Sequence, residues 1–210
     1  KLESTEVEQS DFAKYGIKSE AKSVFRDACL ITMTEYIDEV ADVFKKSSTK
    51  RFTRLNTDMP FAEIEGEDSV ASSAPQKRIQ KLIGMLLWVA RNCRPDIALG
   101  VSKLGSRVTT WTDACERELA RMVKYLAKTR KYGLRMQIVS ESRTKEPQFE
   151  TIAYSDANLG TPKSQSGALL CMMEDDLGSF VPTAWRSKKQ PIQVDSSGAS
   201  ELIAAHFSIK

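Results

Sequence analysis

The chain has 210 residues, enough for one or two domains. With 41% hydrophobic and 28% charged residues it has the composition of a soluble globular chain, and its longest apolar run, Ile83 to Ala90, is far too short to cross a bilayer, so a membrane partner is excluded. Net charge is only +3, yet residues 77–145 hold 16 Lys and Arg against 5 Asp and Glu, while both flanks are acidic.

Residues 1–24 are polar, with one apolar cluster at Phe12, Tyr15 and Ile17, and read as loosely ordered. Cys29-Leu30-Ile31 reads as a short strand. Thr32-Met33-Thr34-Glu35 has the form of a capping box, and Tyr36, Ile37, Val40, Val43 and Phe44 then keep helical spacing as far as Lys45-Lys46-Ser47. From Thr57 to Gln76 the sequence turns acidic, Pro- and Ser-bearing and non-periodic, which predicts a linker or long loop.

Helical order returns at Ile79, Leu82, Ile83, Leu86, Val89 and Ala90, a face broad enough to require burial, and Pro95 stops it. A short helix over 96–107 and a third, capped by Asp113 with Glu116, complete three helices with short joins. On the third, Arg117, Arg121, Lys124 and Lys128 recur at helical spacing and form one stripe, the leading phosphate-binding candidate within the cationic block. A solvated helix face is the competing reading of the same charges.

Ile152, Tyr154 and Asp156 alternate with Ala153, Ser155 and Ala157, which predicts a strand ended by Gly160-Thr161-Pro162. Ser166 to Leu170 reads as a second strand, and Ala184 to Lys189 as a third, before the turn at Gln190-Pro191. Ser196 or Ser197 caps a following helix that begins with Glu201 among Leu202, Ile203 and Ala205. A carboxylate on a strand and another on a helix about 45 residues later is a layout used by metal-dependent nucleases, whose hard oxygen ligands hold Mg²⁺.

The order Tyr154-Ser155-Asp156-Ala157, Ser166-Gly167, Trp185-Arg186-Ser187-Lys188-Lys189-Gln190 and Ser196-Ser197 through Glu201 resembles the RNase H domain of copia-type retrotransposon Pol polyproteins. Lys81 to Trp88, Arg94-Pro95-Asp96-Ile97 and Tyr125 to Thr129 resemble the piece that joins reverse transcriptase to RNase H in that family. Thr34-Glu35-Tyr36-Ile37 resembles its short helix after the polymerase palm. The resemblance implies an α+β chain in four parts. Residues 1–56 would be the end of the reverse transcriptase region, 57–76 an acidic linker, 77–145 a basic helical connection, and 146–210 a partial RNase H-like fold of three antiparallel strands and the first helix.

It also implies that Asp156 and Glu201 are two of the catalytic and metal-binding carboxylates, with Mg²⁺ as cofactor, an RNA:DNA hybrid or other nucleic acid as partner, and the remainder of the polyprotein as a further partner. The family's later acids would fall beyond Lys210, and the polymerase aspartates upstream of this segment. The chain opens on Lys1 and closes on Lys210 within a helical pattern, which reads as cut at both ends. The expected role is therefore that of a fragment, inactive alone. A non-catalytic nucleic-acid-binding module and a decayed structural remnant are the alternatives.

Other constellations have plain readings. Glu174-Asp175-Asp176 resembles the acidic turn of a polymerase palm but has Met173 where a Tyr two places before the acids is needed, so it reads as a solvated turn. His206 reads as surface or packing, and Trp88 and Trp185 as core more than as base-stacking residues. Cys29, Cys93, Cys115 and Cys171 stand far apart, with no Cys-x-x-Cys and one His, which disfavours zinc and disulfide frameworks and favours an intracellular compartment, cytoplasm or nucleus.

Overall fold

The computed structural model describes residues 2–7, 24–48, 55–62, 64, 74–140, 149–160, 163–174 and 178–209. Among them run strands β1 (Leu2–Val7) and β2 (Val24–Ile31), then helices α1 (Thr34–Ser47), α2 (Gln76–Asn92), α3 (Ala98–Gly105) and α4 (Asp113–Lys128). Strands β3 (Leu134–Ser140), β4 (Glu150–Asn158), β5 (Gln165–Glu174) and β6 (Ser179–Lys189) and helix α5 (Ser197–Ser208) complete the order. The class is α+β. No helix among the described residues is long and apolar enough to cross a membrane.

Two compact units result, a sheet unit of residues 1–31, 134–185 and 192–210 and a helical unit of residues 32–133 and 186–191. The division differs from the boundaries read in the sequence, and residues 186–191 of the expected 146–210 part fall in the helical unit. Strands β1 and β2 group with the sheet, apart from α1, and β3 lies inside the stretch 77–145 that reads as helical connection.

In the helical unit, α1 packs on α2 and α4, and α3 packs on α2 and α4. Ile37, Val40 and Phe44 of α1, Leu82, Leu86 and Val89 of α2, Val101 and Leu104 of α3, and Leu119, Met122 and Leu126 of α4 form one buried cluster. The apolar spacing therefore does what it predicts, since each stripe is buried against its neighbours. The caps differ from expectation. Met33 precedes α1 without a side-chain cap, and the Thr34 hydroxyl donates instead to the Arg130 carbonyl at 3.1 Å. Thr112 caps α4 by accepting from the Cys115 N–H, while Glu116 is drawn inward by Arg78 and by Trp111.

Residues 55–62 carry no regular secondary structure, as a loop should, yet they are not a free linker. Leu55, Phe61, Ile64 and Ala74 pack against the helical core. At α3, Gly100 makes this possible: a Cβ there would meet the Met122 methyl and stand 2.9 Å from the Phe61 Cβ. The remainder of the expected linker, 65–73, lies outside the described residues, as do the Phe12, Tyr15 and Ile17 cluster and Asp175-Asp176.

The sheet unit orders its strands β1-β2-β3-β6-β5-β4, with antiparallel pairing of β1 with β2, β2 with β3, β3 with β6 and β4 with β5. The three strands read from the sequence are β4, β5 and β6, the last beginning five residues earlier than its motif. The junction of β3 with β6 rests on the Gln137–Phe180 pair and on buried Ser179, whose hydroxyl accepts from the Val139 N–H at 2.9 Å. Ser196 caps α5 by accepting from the Ala199 N–H, as its position predicts. The helix then packs on β4 and β5, burying Ser200 and Ala204 one turn apart.

Candidate nucleic-acid interface and carboxylate pair

Asp156 sits in β4 directly opposite Gly167 of β5, on the strand face shared with Ile152 and Tyr154, and it is exposed. Tyr154, on the same face, turns its hydroxyl to the Met173 sulfur across the pair at 3.5 Å. Glu201 follows the buried Ser200 in α5 and is also exposed. Because α5 lies on β4 and β5, the elements that carry the two carboxylates are neighbours. His206 is exposed on the same helix.

Carboxylate oxygens are the donor class that Mg²⁺ takes, so the chemistry of the pair suits that ion. Among the described residues no group of three or more His, Cys, Asp and Glu side chains is placed to hold a metal.

Arg117 and Lys124 of the α4 stripe are exposed. Arg121 gives Nε to Glu118, three residues earlier, and Nη1 to the Asn56 carbonyl at 2.6 Å. Lys128 Nζ reaches the Asp58 carboxylate at 2.7 Å, and that interaction, first by hydrogen bond and then by charge, holds the Asp58 carboxyl below its ordinary range. Two of the four cations are thus engaged by the 55–62 segment.

Other cations of the block are structural. Arg94 is 2% exposed, and its guanidinium forks onto Asp96 at 2.7 and 2.9 Å while Nη1 donates to the Thr129 carbonyl at 3.0 Å. It also lies over the rings of Tyr125 and Tyr132, 5.3 and 5.8 Å from their centroids. Tyr125 donates its hydroxyl to the same Asp96 carboxylate at 2.7 Å. Burial alone would raise the Asp96 carboxyl, but the hydrogen bonds from Arg94 and Tyr125, with the Arg94 charge, outweigh it and hold the group below the usual range. Arg78 is the counterpart at the start of α2, bonded to Glu116 at 2.6 Å and to the Ser47 hydroxyl at 3.1 Å, over the Phe44 ring. Arg130 pairs with Asp38.

A second basic face is left outward, and sequence reasoning missed it. Gln76, Lys77, Gln80, Lys81, Gly84, Leu87, Trp88, Arg91 and Asn92 are the exposed positions along α2, and the helix contains no Asp or Glu. Trp88 is 55% exposed, a correction to its reading as core; the buried indole is that of Trp111, 6% exposed, whose Nε1–H donates to Glu116 at 2.8 Å. A Cβ at Gly84 would meet nothing within 4 Å, so the helix backbone is open to solvent between Lys81 and Trp88. The signal was present: Lys81, Gly84, Trp88 and Arg91 are spaced by three, four and three residues, opposite the Leu82, Leu86 and Val89 stripe. In sequence Trp88 stands among apolar neighbours, and the helical wheel turns it outward.

Comparison with known proteins adds no relative to this picture: no protein-family model, no curated protein and no solved structure matches the chain.

Proposed function

We propose that this chain is a nucleic-acid-holding piece of a copia-type retrotransposon Pol polyprotein, composed of the segment that joins reverse transcriptase to RNase H and the first part of the RNase H domain. Its proposed ligand is an RNA:DNA hybrid, and its proposed partner is the remainder of the polyprotein. The carrying observation is the outward face of α2, where cations flank an exposed indole with no acid on the helix.

Lys77, Lys81 and Arg91 are suited to phosphate contacts, which fix position without reading sequence. Gly84 lets a sugar-phosphate chain approach the helix backbone, and Trp88 offers a flat apolar surface to a sugar or base. The meander β4, β5, β6 followed by α5, with Asp156 on its first strand and Glu201 on its helix, supports the RNase H part of the reading. Two-metal cleavage needs more carboxylates than Asp156 and Glu201, so the proposed role of this piece is to hold the hybrid. The wide spacing of its cysteines supports an intracellular setting.

The test is the salt dependence of binding to a labelled hybrid, read by fluorescence anisotropy. Replacing Lys77, Lys81 and Arg91 together by Ala should reduce the slope of log K against log salt by roughly 0.9 for each phosphate no longer neutralised. A slope that stays at the wild-type value would refute the assignment of this face.

A further inference from the structure

The segment 55–62 lies along α4 as a strap with unequal ends. Its inner end is pinned: Phe61 packs at Gly100 and Met122, and the Ala62 N–H donates to Glu118 Oε2 at 2.9 Å. Its outer end is shaped by the Asn56 side chain, which accepts from the Asp58 N–H at 2.9 Å and so turns the chain at the point where Asp58 meets Lys128. There the side chains are 79% and 58% exposed, and exposed ion pairs are readily screened and exchanged. The Asn56 carbonyl takes Arg121 Nη1 beside it.

A carboxylate or carbonyl oxygen on an ammonium or guanidinium occupies the same donors that a phosphate oxygen would use. Asp58 and the Asn56 carbonyl therefore stand where phosphates would stand on the α4 stripe. We propose that residues 56–58 are an intramolecular competitor for the α4 cations, so that a nucleic-acid backbone gains Lys128 and Arg121 only by displacing the outer end of the strap. This rests on the reading of the helical unit as a nucleic-acid holder, and adds to it a built-in brake on how far the bound backbone extends from α2 onto α4.

The experiment compares the full chain with Asp58→Ala and with Asp42→Ala, a variant that removes one exposed acid from α1. Binding to a labelled hybrid is measured across salt concentrations. Asp58→Ala should steepen the salt slope by roughly 0.9, so that its affinity advantage over wild type changes by about 3.5-fold between 50 and 200 mM salt. Adding Lys128→Ala to Asp58→Ala should abolish that gain, and Asp42→Ala should leave the slope at the wild-type value.

Equal effects of Asp58→Ala and Asp42→Ala would reduce the strap to net charge and overturn the competition. So would a gain that survives removal of the Lys128 ammonium, or no change at all in Asp58→Ala. A chain that binds no hybrid, either as wild type or as Asp58→Ala, would instead overturn the nucleic-acid reading on which the competition depends.

Discussion

Replacing Arg94 by Met keeps the length of the side chain and removes its fork, its charge and its stacking on two rings. The Asp96 carboxylate would keep the Tyr125 hydroxyl and, being 35% exposed, would recover some water. The Thr129 carbonyl would lose its donor on Arg94 Nη1. Removing one partner of a fully buried pair costs about 3–5 kcal/mol, and the partial exposure of Asp96 brings the expectation to about 2–4 kcal/mol. For a helical unit of about 100 residues this corresponds to a fall in Tm of roughly 10–30 °C. Urea unfolding followed by tryptophan emission suits the purpose, because Trp111 is buried in that unit. Arg94→Lys, which keeps charge but not the planar fork, should fall between wild type and Arg94→Met. A loss below about 1 kcal/mol in Arg94→Met would show that the network is not what joins the start of the 95–97 turn to the end of α4.

Three further outcomes follow from the same side-chain arrangements. Because the Asp96 carboxyl lies below its unfolded value when folded, its contribution is complete above about pH 4 and is lost as pH falls through the lower folded value. Asp96→Asn should therefore flatten the acid limb of a stability–pH profile, and an unaltered limb would contradict the assigned direction. Gly100→Ala gains about 1 kcal/mol of helix propensity but forces Phe61 and Met122 aside, at about 1–3 kcal/mol for overpacking, so net destabilisation by up to about 2 kcal/mol should appear in urea midpoints. Stabilisation would mean that Phe61 moves away at little cost. Incubation of the chain with hybrid and Mg²⁺ or Mn²⁺ should leave the RNA intact; cleavage that Asp156→Asn abolishes would refute the argument from two carboxylates while assigning Asp156 a catalytic place.

The helical cores of α1, α2 and α4 were legible because a 3.6-residue apolar stripe has one stable use, burial. The strand β4 was legible from its alternation and from the Gly160 that follows it. What could not be read was long-range. The joining of β2 to β3, about 100 residues apart, has no local signal, and β3 was absorbed into the cationic stretch that precedes it. Charge identity was equally silent about employment: Arg94 and Arg78 look like Arg117 in sequence, yet two are committed inside the fold and one is exposed. Thr32 does not cap α1, which begins at Thr34 with Met33 at its N-cap, while the Thr34 hydroxyl donates to the Arg130 carbonyl of the closed bundle. For the site, the sequence supplied Asp156, Glu201 and the α4 stripe, but not the strap across that stripe or the outward turn of Trp88.

The most direct test of the central claim, that the outward face of α2 holds nucleic acid, is tryptophan emission during titration with an RNA:DNA hybrid, in wild type and in Trp88→Phe. Trp88 is the strongly exposed indole, whereas Trp111 is buried and Trp185 half-buried. Binding should quench the wild-type signal and protect it from iodide, and Trp88→Phe should lose most of both changes while still binding through its cations. A hybrid that binds with the emission and iodide access of Trp88 unaltered would place the ligand elsewhere and contradict the account.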